Sequence, residues 1–105
     1  MKNKYRKISF RKACKLYEKR AGHIVPRMTA GARNAMATAL TVLYGLAGYN
    51  LEACVDKAEE SARDLLSGCD AAVEFKRYGK GLSGNARLIV VLEPSDFDWY
   101  VVDDE

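Results

Sequence analysis

The sequence has few of the residues that build metal centres or disulfide frameworks. It contains one histidine, His23, and three cysteines, Cys14, Cys54 and Cys69, with no CxxC pair. A structural zinc site takes about four closely spaced Cys or His ligands, so no metal site is expected. The odd number of cysteines and the lack of a secretion signal favour reduced thiols, buried on helices of a cytoplasmic protein.

Proline and long apolar runs are also scarce. The two prolines are Pro26 and Pro94, and the longest uncharged run, residues 34–51, is interrupted by threonine and glycine. A membrane-spanning helix needs about 20 mostly apolar residues, so no contact with a membrane is expected. Because 49% of the 105 residues are hydrophobic, the composition predicts one folded domain, residues 1–105.

Catalytic motifs are missing as well. The chain has no GxSxG motif and no paired Cys and His in a recognisable nucleophile motif. Residues 79–84 match GxGxxG, but a dinucleotide-binding loop must open a helix and a strand is predicted next. That run is therefore expected to be the tip of a hairpin. We expect a protein that is not an enzyme and that holds no cofactor.

Helical spacing of the apolar residues predicts three helices, at residues 10–21, 30–47 and 51–67. Ser9 and Asn50 stand where N-caps are required, since their side-chain oxygens can accept from free backbone N–H groups, and the second helix is expected to begin after Thr29. Gly22 is expected to end the first helix. The second helix has apolar residues on nearly every face, which predicts a place at the centre of the domain.

The hydrophobic period changes to two after the third helix and predicts three strands, at residues 71–78, 87–93 and 97–102. The continuous apolar run from Leu88 to Leu92 is typical of a strand covered on both faces. The expected fold is α+β: three helices followed by a three-stranded antiparallel β-meander that the helices cover on one face.

The small net charge of +3 conceals a strong separation of charge along the chain. Residues 1–33 carry eleven Lys and Arg against one acid, Glu18, whereas the remaining residues carry six against thirteen acids. Arg11 and Lys12 fall in the first turn of a predicted helix, where the dipole disfavours cations by about 0.3–1 kcal/mol each. This placement against local preference suggests an external demand on these side chains.

Backbone N–H groups and Thr29 at the start of the second predicted helix are flanked by Arg27 and Arg33, a composition that suits an anion. The candidate residues for binding nucleic acid or another anion are Arg11, Lys12, Lys15, Lys19, Arg27, Thr29 and Arg33. Two alternatives stay open: these cations form a solvated face, or they pair internally with the acidic third helix or with the C-terminal strand.

The C-terminal segment is acidic and contains aromatic residues, and we expect it to be an edge strand. Such a strand can bind a basic groove of a partner, or it can pair edge-to-edge with another chain. Alternatively, it carries charge that prevents aggregation. The candidate partner-binding residues are Asp96, Asp98, Trp99, Tyr100, Asp103 and Asp104.

Two functional hypotheses follow from these patterns. In the first, the chain is a small non-catalytic binding protein that acts on nucleic acid, or on a protein complex handling nucleic acid, through its basic N-terminal helical face. In the second, it is a phage or mobile-element inhibitor of a host defence complex that acts by protein–protein contact. Its size, its separated charges and its lack of catalytic motifs are similar to those of anti-CRISPR proteins. Both hypotheses favour a protein or nucleoprotein partner, and the small residues of the second helix permit a homo-oligomer.

Overall fold

A computed structural model describes residues 4–79 and 84–103 and shows helices interleaved with strands. In chain order the elements are β1 (Lys4–Ile8), α1 (Phe10–Glu18), β2 (His23–Met28), α2 (Ala30–Tyr44), α3 (Leu51–Ser61), a 3₁₀ helix (Ala62–Ser67), β3 (Ala71–Arg77), β4 (Ala86–Leu92), a 3₁₀ turn (Pro94–Asp96) and β5 (Phe97–Asp103). Within these ranges, no helix combines the length and hydropathy that crossing a membrane requires.

The strands form two separate antiparallel sheets. One has three strands in the order β1-β5-β2, and the other consists of β3 and β4. In the larger sheet Lys4 lies opposite Asp103 and His23 lies opposite Val102, so β5 joins the N-terminal third of the chain to its C-terminal end. This sheet packs against α1 and α3, and the two-stranded sheet packs against α2 and α3.

The prediction of three helices followed by a three-stranded meander is therefore wrong. Two strands, β1 and β2, precede α2. β5 does not pair with β4; it lies between β1 and β2 and pairs with both of these strands. The chain turns away at the 3₁₀ turn, where the Glu93 N–H donates to the Asp96 carboxylate and the Asp96 N–H to the Glu93 carbonyl. Trp99 holds this turn, since its indole N–H donates to the carbonyl oxygen of Pro94 at 3.1 Å.

The two missed strands have weak local patterns. β1 is short and four of its five residues are exposed, so it shows no clear apolar face. β2 contains Pro26, which cannot donate to a neighbouring strand. The strand tolerates this proline because the Met28 N–H, two residues later on the same edge, donates to Glu59 on α3 rather than to β5. The backbone nitrogen of Pro26 therefore faces away from β5, and the pairing of the two strands requires no N–H at this position.

The predicted N-caps are confirmed: Ser9 and Asn50 accept from the N–H groups of Lys12 and Ala53. Thr29 also caps its helix, by accepting from the Ala32 N–H. The first helix ends earlier than predicted, at Glu18, and Gly22 has another role. With φ of +81°, Gly22 lies so close to β5 that a Cβ would stand 2.7 Å from Val101 Cγ2.

Two predicted core elements are more exposed than expected. Val42 on α2 is 82% exposed, and Leu46, which follows the end of α2, is fully exposed. α2 therefore lies at the surface of the domain rather than at its centre. β4 is covered on one face only, because Leu92 is buried while Ile89 and Val91 are exposed. Residues of both sheets and all three helices meet in one hydrophobic cluster, in a molecule measuring 55 × 30 × 20 Å.

Candidate nucleic-acid interface

The cations of α1 lie on the outer side of a firmly packed helix. Ala13 is fully buried, and the ring centroids of Phe10 and Trp99 lie 4.9 Å apart. These contacts pack the inner side of the helix against β5. Arg11, Lys15 and Lys19 follow one another at four-residue spacing, about 6 Å apart along the axis. With Lys12 they are all exposed. We call Arg11, Lys12, Lys15 and Lys19 the basic α1 surface.

The basic α1 surface lacks acidic partners within the described part of the chain. None of its four side chains lies within ion-pair distance of a carboxylate there, although Glu18 is on the same helix. Ser9, Arg11, Lys12 and Lys15 line a shallow concavity of about 350 Å³. Four positive charges thus face solvent beside a depression in which a phosphate group could be contacted by several donors.

The structure adds two cations that the sequence patterns missed. The register of β1 places Arg6 opposite Val101 and Lys4 opposite Asp103. Directly paired residues of antiparallel strands point to the same face, and Trp99 and Val101 point toward α1. Lys4 and Arg6 therefore lie on the side of the sheet that carries α1. No local signal identified them, because β1 becomes a strand only by pairing with β5.

The candidate anion-binding residues at the start of α2 have partners within the chain. Arg27 contacts the Glu59 carboxylate at 3.4 Å, and Arg33 forms an ion pair with Glu52, both acids lying on α3. The Thr29 hydroxyl accepts from the Ala32 N–H as the helix cap. Arg27 lies opposite Asp98, on the face of the sheet turned away from α1. The internal pairing that the sequence left open is thus realised at α2 but not on α1.

The acidic C-terminal candidates do not form an open edge. β5 is the central strand of its sheet, and Trp99 is only 3% exposed. Tyr100 is half-buried, Asp98 pairs with Lys7 at 3.3 Å, and Asp96 closes the preceding turn. The side chain of Asp103 and the whole of Asp104 lie outside the described residues.

The other chemically notable groups are dispersed. Burial raises the pKa of the Cys14 thiol, helped by nearby Glu18, and burial also raises the pKa of Cys54 against an opposing effect of Lys57. Cys69 is exposed, contrary to the sequence prediction. Among residues 4–79 and 84–103, no group of three or more His, Cys, Asp or Glu side chains could hold a metal ion. Most of the predicted glycine-rich tip, residues 80–83, lies outside these ranges.

Known proteins supply no further guide to the site. No protein-family model matches the chain, and comparisons with curated proteins and with solved structures find no match.

Proposed function

We propose that this protein binds nucleic acid through the basic α1 surface and carries out no catalysis. The observation that supports this most directly is the contrast between two groups of cations. Arg27 and Arg33 pair with acids of α3, whereas Arg11, Lys12, Lys15 and Lys19 have no carboxylate partner among the described residues. An exposed group of unpaired cations on one face is the usual electrostatic footprint of phosphate-backbone binding.

The contacts would be made to phosphate oxygens. Arg11 can donate two parallel hydrogen bonds to one phosphate, and the three lysines supply mobile point charges. Lys4 and Arg6 lie on the same side of the sheet as the basic α1 surface. Phosphate contacts position a protein on nucleic acid without selecting a sequence, so the proposed binding is independent of base sequence.

The alternative function, inhibition of a host defence complex, assigned contact with a protein partner to the acidic C-terminal strand. That strand has a neighbour on both sides, and its tryptophan is buried. The basic α1 surface is the more accessible of the two candidate surfaces. We therefore favour nucleic acid as the partner, bound directly or within a nucleoprotein complex. A protein partner that binds the acidic C-terminal strand is the less favoured alternative.

The first experiment measures the binding of fluorescently labelled DNA and RNA by anisotropy over a series of salt concentrations. We expect binding at low ionic strength that weakens steeply as salt is added, because each neutralised phosphate releases condensed counterions. The double variant Lys12→Gln/Lys15→Gln should reduce the slope of log K against log salt by roughly 1.4–1.8, that is, about 0.7–0.9 per lost phosphate contact.

The matched control is Arg27→Gln/Arg33→Gln, which removes the same charge from the start of α2. Because these arginines are already paired, the control should keep nearly the wild-type slope, with circular dichroism confirming that both variants fold. The absence of any binding by the wild-type protein at low ionic strength would disprove the proposal. Equal losses in the two variants would show that net charge, rather than the basic α1 surface, controls binding.

A further inference from the structure

Three of the four outer sheet edges in the described structure are protected from pairing with another strand. β1 carries the exposed charges of Lys4, Arg6 and Lys7, which disfavour an incoming strand. On β2, Pro26 has no N–H and the Met28 N–H is taken by Glu59 at 2.8 Å. These features protect both edges of the larger sheet from pairing with another strand.

The outer edge of β3 is protected by side chains from two helices. The Tyr44 hydroxyl donates to the carbonyl oxygen of Lys76 at 3.1 Å, and Lys57 Nζ donates to that of Glu74 at 2.8 Å. These bonds also show which way the β3 backbone points. The carbonyls of Glu74 and Lys76 are directed away from β4.

The same directions define the free edge of β4. In an antiparallel pair, two opposite residues point their backbone groups either toward each other or away from each other. Glu74 lies opposite Ile89 and Lys76 lies opposite Arg87, so these β4 residues, with Val91, point their N–H and C=O groups outward. No hydrogen-bond partner for these groups is found among the described residues. β4 therefore presents an unprotected edge.

The side chains along this edge are apolar. Ile89 is 51% exposed and Val91 is 67% exposed, on the face of the two-stranded sheet opposite to the core. Residues 88–92 contain no charge and no proline, in contrast to β1 and β2. Unpaired backbone groups beside exposed β-branched side chains form a surface suited to another β-strand.

We propose that two copies of this chain associate through β4, in antiparallel orientation about a two-fold axis at Val90. In this register Ile89 of each copy lies opposite Val91 of the other, so the exposed aliphatic side chains cover one another. Arg87 of each copy lies opposite Glu93 of the other. The result is a continuous four-stranded antiparallel sheet, β3-β4-β4-β3.

The charges at the ends of the strand select this occupant and this direction. Arg87 and Glu93 are both exposed and enclose the uncharged segment. An antiparallel second copy pairs the opposite charges twice, whereas a parallel copy places like charges side by side. The Glu93 N–H donates to the Asp96 carboxylate at 2.9 Å, which fixes the backbone position of Glu93, and Arg87 approaches Glu74 of β3 at 3.5 Å.

Sedimentation equilibrium of the full chain tests the proposal over a range from low to high micromolar concentration. The wild-type mass should rise toward twice 11.7 kDa as concentration increases. Ile89→Lys, which places a charge on the exposed face of the edge, should keep the mass at 11.7 kDa. The matched control Tyr5→Lys changes an exposed aromatic residue on the other sheet and should associate like the wild type.

A charge exchange tests the register. Arg87→Glu and Glu93→Arg should each weaken association, and the double variant should restore it, because the opposite charges then face each other again. Any local effect of replacing Glu93, or of removing Arg87 from beside Glu74, is present in the double variant too, so it cannot account for restoration. A wild-type chain that stays monomeric throughout, or an Ile89→Lys variant that associates normally, would overturn the proposal. Failure of the double variant to recover would overturn the antiparallel register.

Discussion

Trp99 shows how one side chain links local structure to the whole fold. Its indole N–H donates to the Pro94 carbonyl, and its ring contacts Phe10 on α1 and Phe97 on β5. Trp99 thus stabilises the turn after β4, packs against α1 and contributes to the hydrophobic core beside the larger sheet. Its expected contribution is structural, because truncating a buried tryptophan to alanine typically costs about 3–5 kcal/mol.

The three cysteines are predicted to differ in reactivity. Iodoacetamide should modify Cys69 first at neutral pH, because Cys69 is exposed and the half-buried thiols of Cys14 and Cys54 have raised pKa values. Peptide mass mapping after brief labelling measures the order. In denaturant all three should react at similar rates, which provides the control, and rapid labelling of Cys14 in the folded protein would contradict the structure.

The raised thiol pKa values also determine the sign of a pH effect. A thiol that holds its proton more tightly in the folded state than in the unfolded state favours folding below its ordinary pKa. This contribution is fully present at neutral pH and is lost as the pH rises through the folded-state values of Cys14 and Cys54.

At the scale of elements, Glu59 joins α3 to the edge of β2. Its carboxylate accepts from the Met28 N–H and pairs with Arg27, while its side chain is only 13% exposed. Glu59→Ala should lower the free energy of unfolding by about 1–3 kcal/mol, because the Met28 N–H then lacks its charged acceptor. Urea denaturation followed by circular dichroism measures this change.

The neighbouring exposed residue provides the control for Glu59. Glu60→Ala removes the same charge from the same helix and should change stability by no more than about 0.5 kcal/mol. Equal effects of the two substitutions would mean that the net charge of α3, rather than the bond to β2, stabilises this contact.

The elements also show how far local patterns can predict a fold. The starts of α1, α2 and α3 could be predicted because each cap is satisfied within three residues of Ser9, Thr29 or Asn50. β1 and β2 could not be, since their stability comes from hydrogen bonds to β5. The basic α1 surface was recognisable because helical spacing brings Arg11, Lys15 and Lys19 together. The pairing of Arg27 and Arg33 depends on where α3 packs.

At the scale of the whole molecule, β5 closes the fold. It supplies the central strand of the larger sheet and the buried residues Phe97, Trp99 and Val101. A chain shortened to end at Ser95 should lose the cooperative thermal transition of the full chain, because β1 and β2 then have no strand between them. Thermal unfolding followed by circular dichroism tests this expectation. A retained sharp transition would indicate that the α2–α3–β3–β4 part folds independently.

The sequence by itself determined where the helices begin, the three strands that follow them and the separation of charge between the first third of the chain and the rest. These properties depend on residues near one another in the chain. Only the tertiary structure decided the strand order, the central place of β5 and the open edge of β4. Pairing between strands such as β1 and β5, nearly the whole chain apart, has no local pattern, and whether a cation meets an acid depends on which surfaces that pairing brings together.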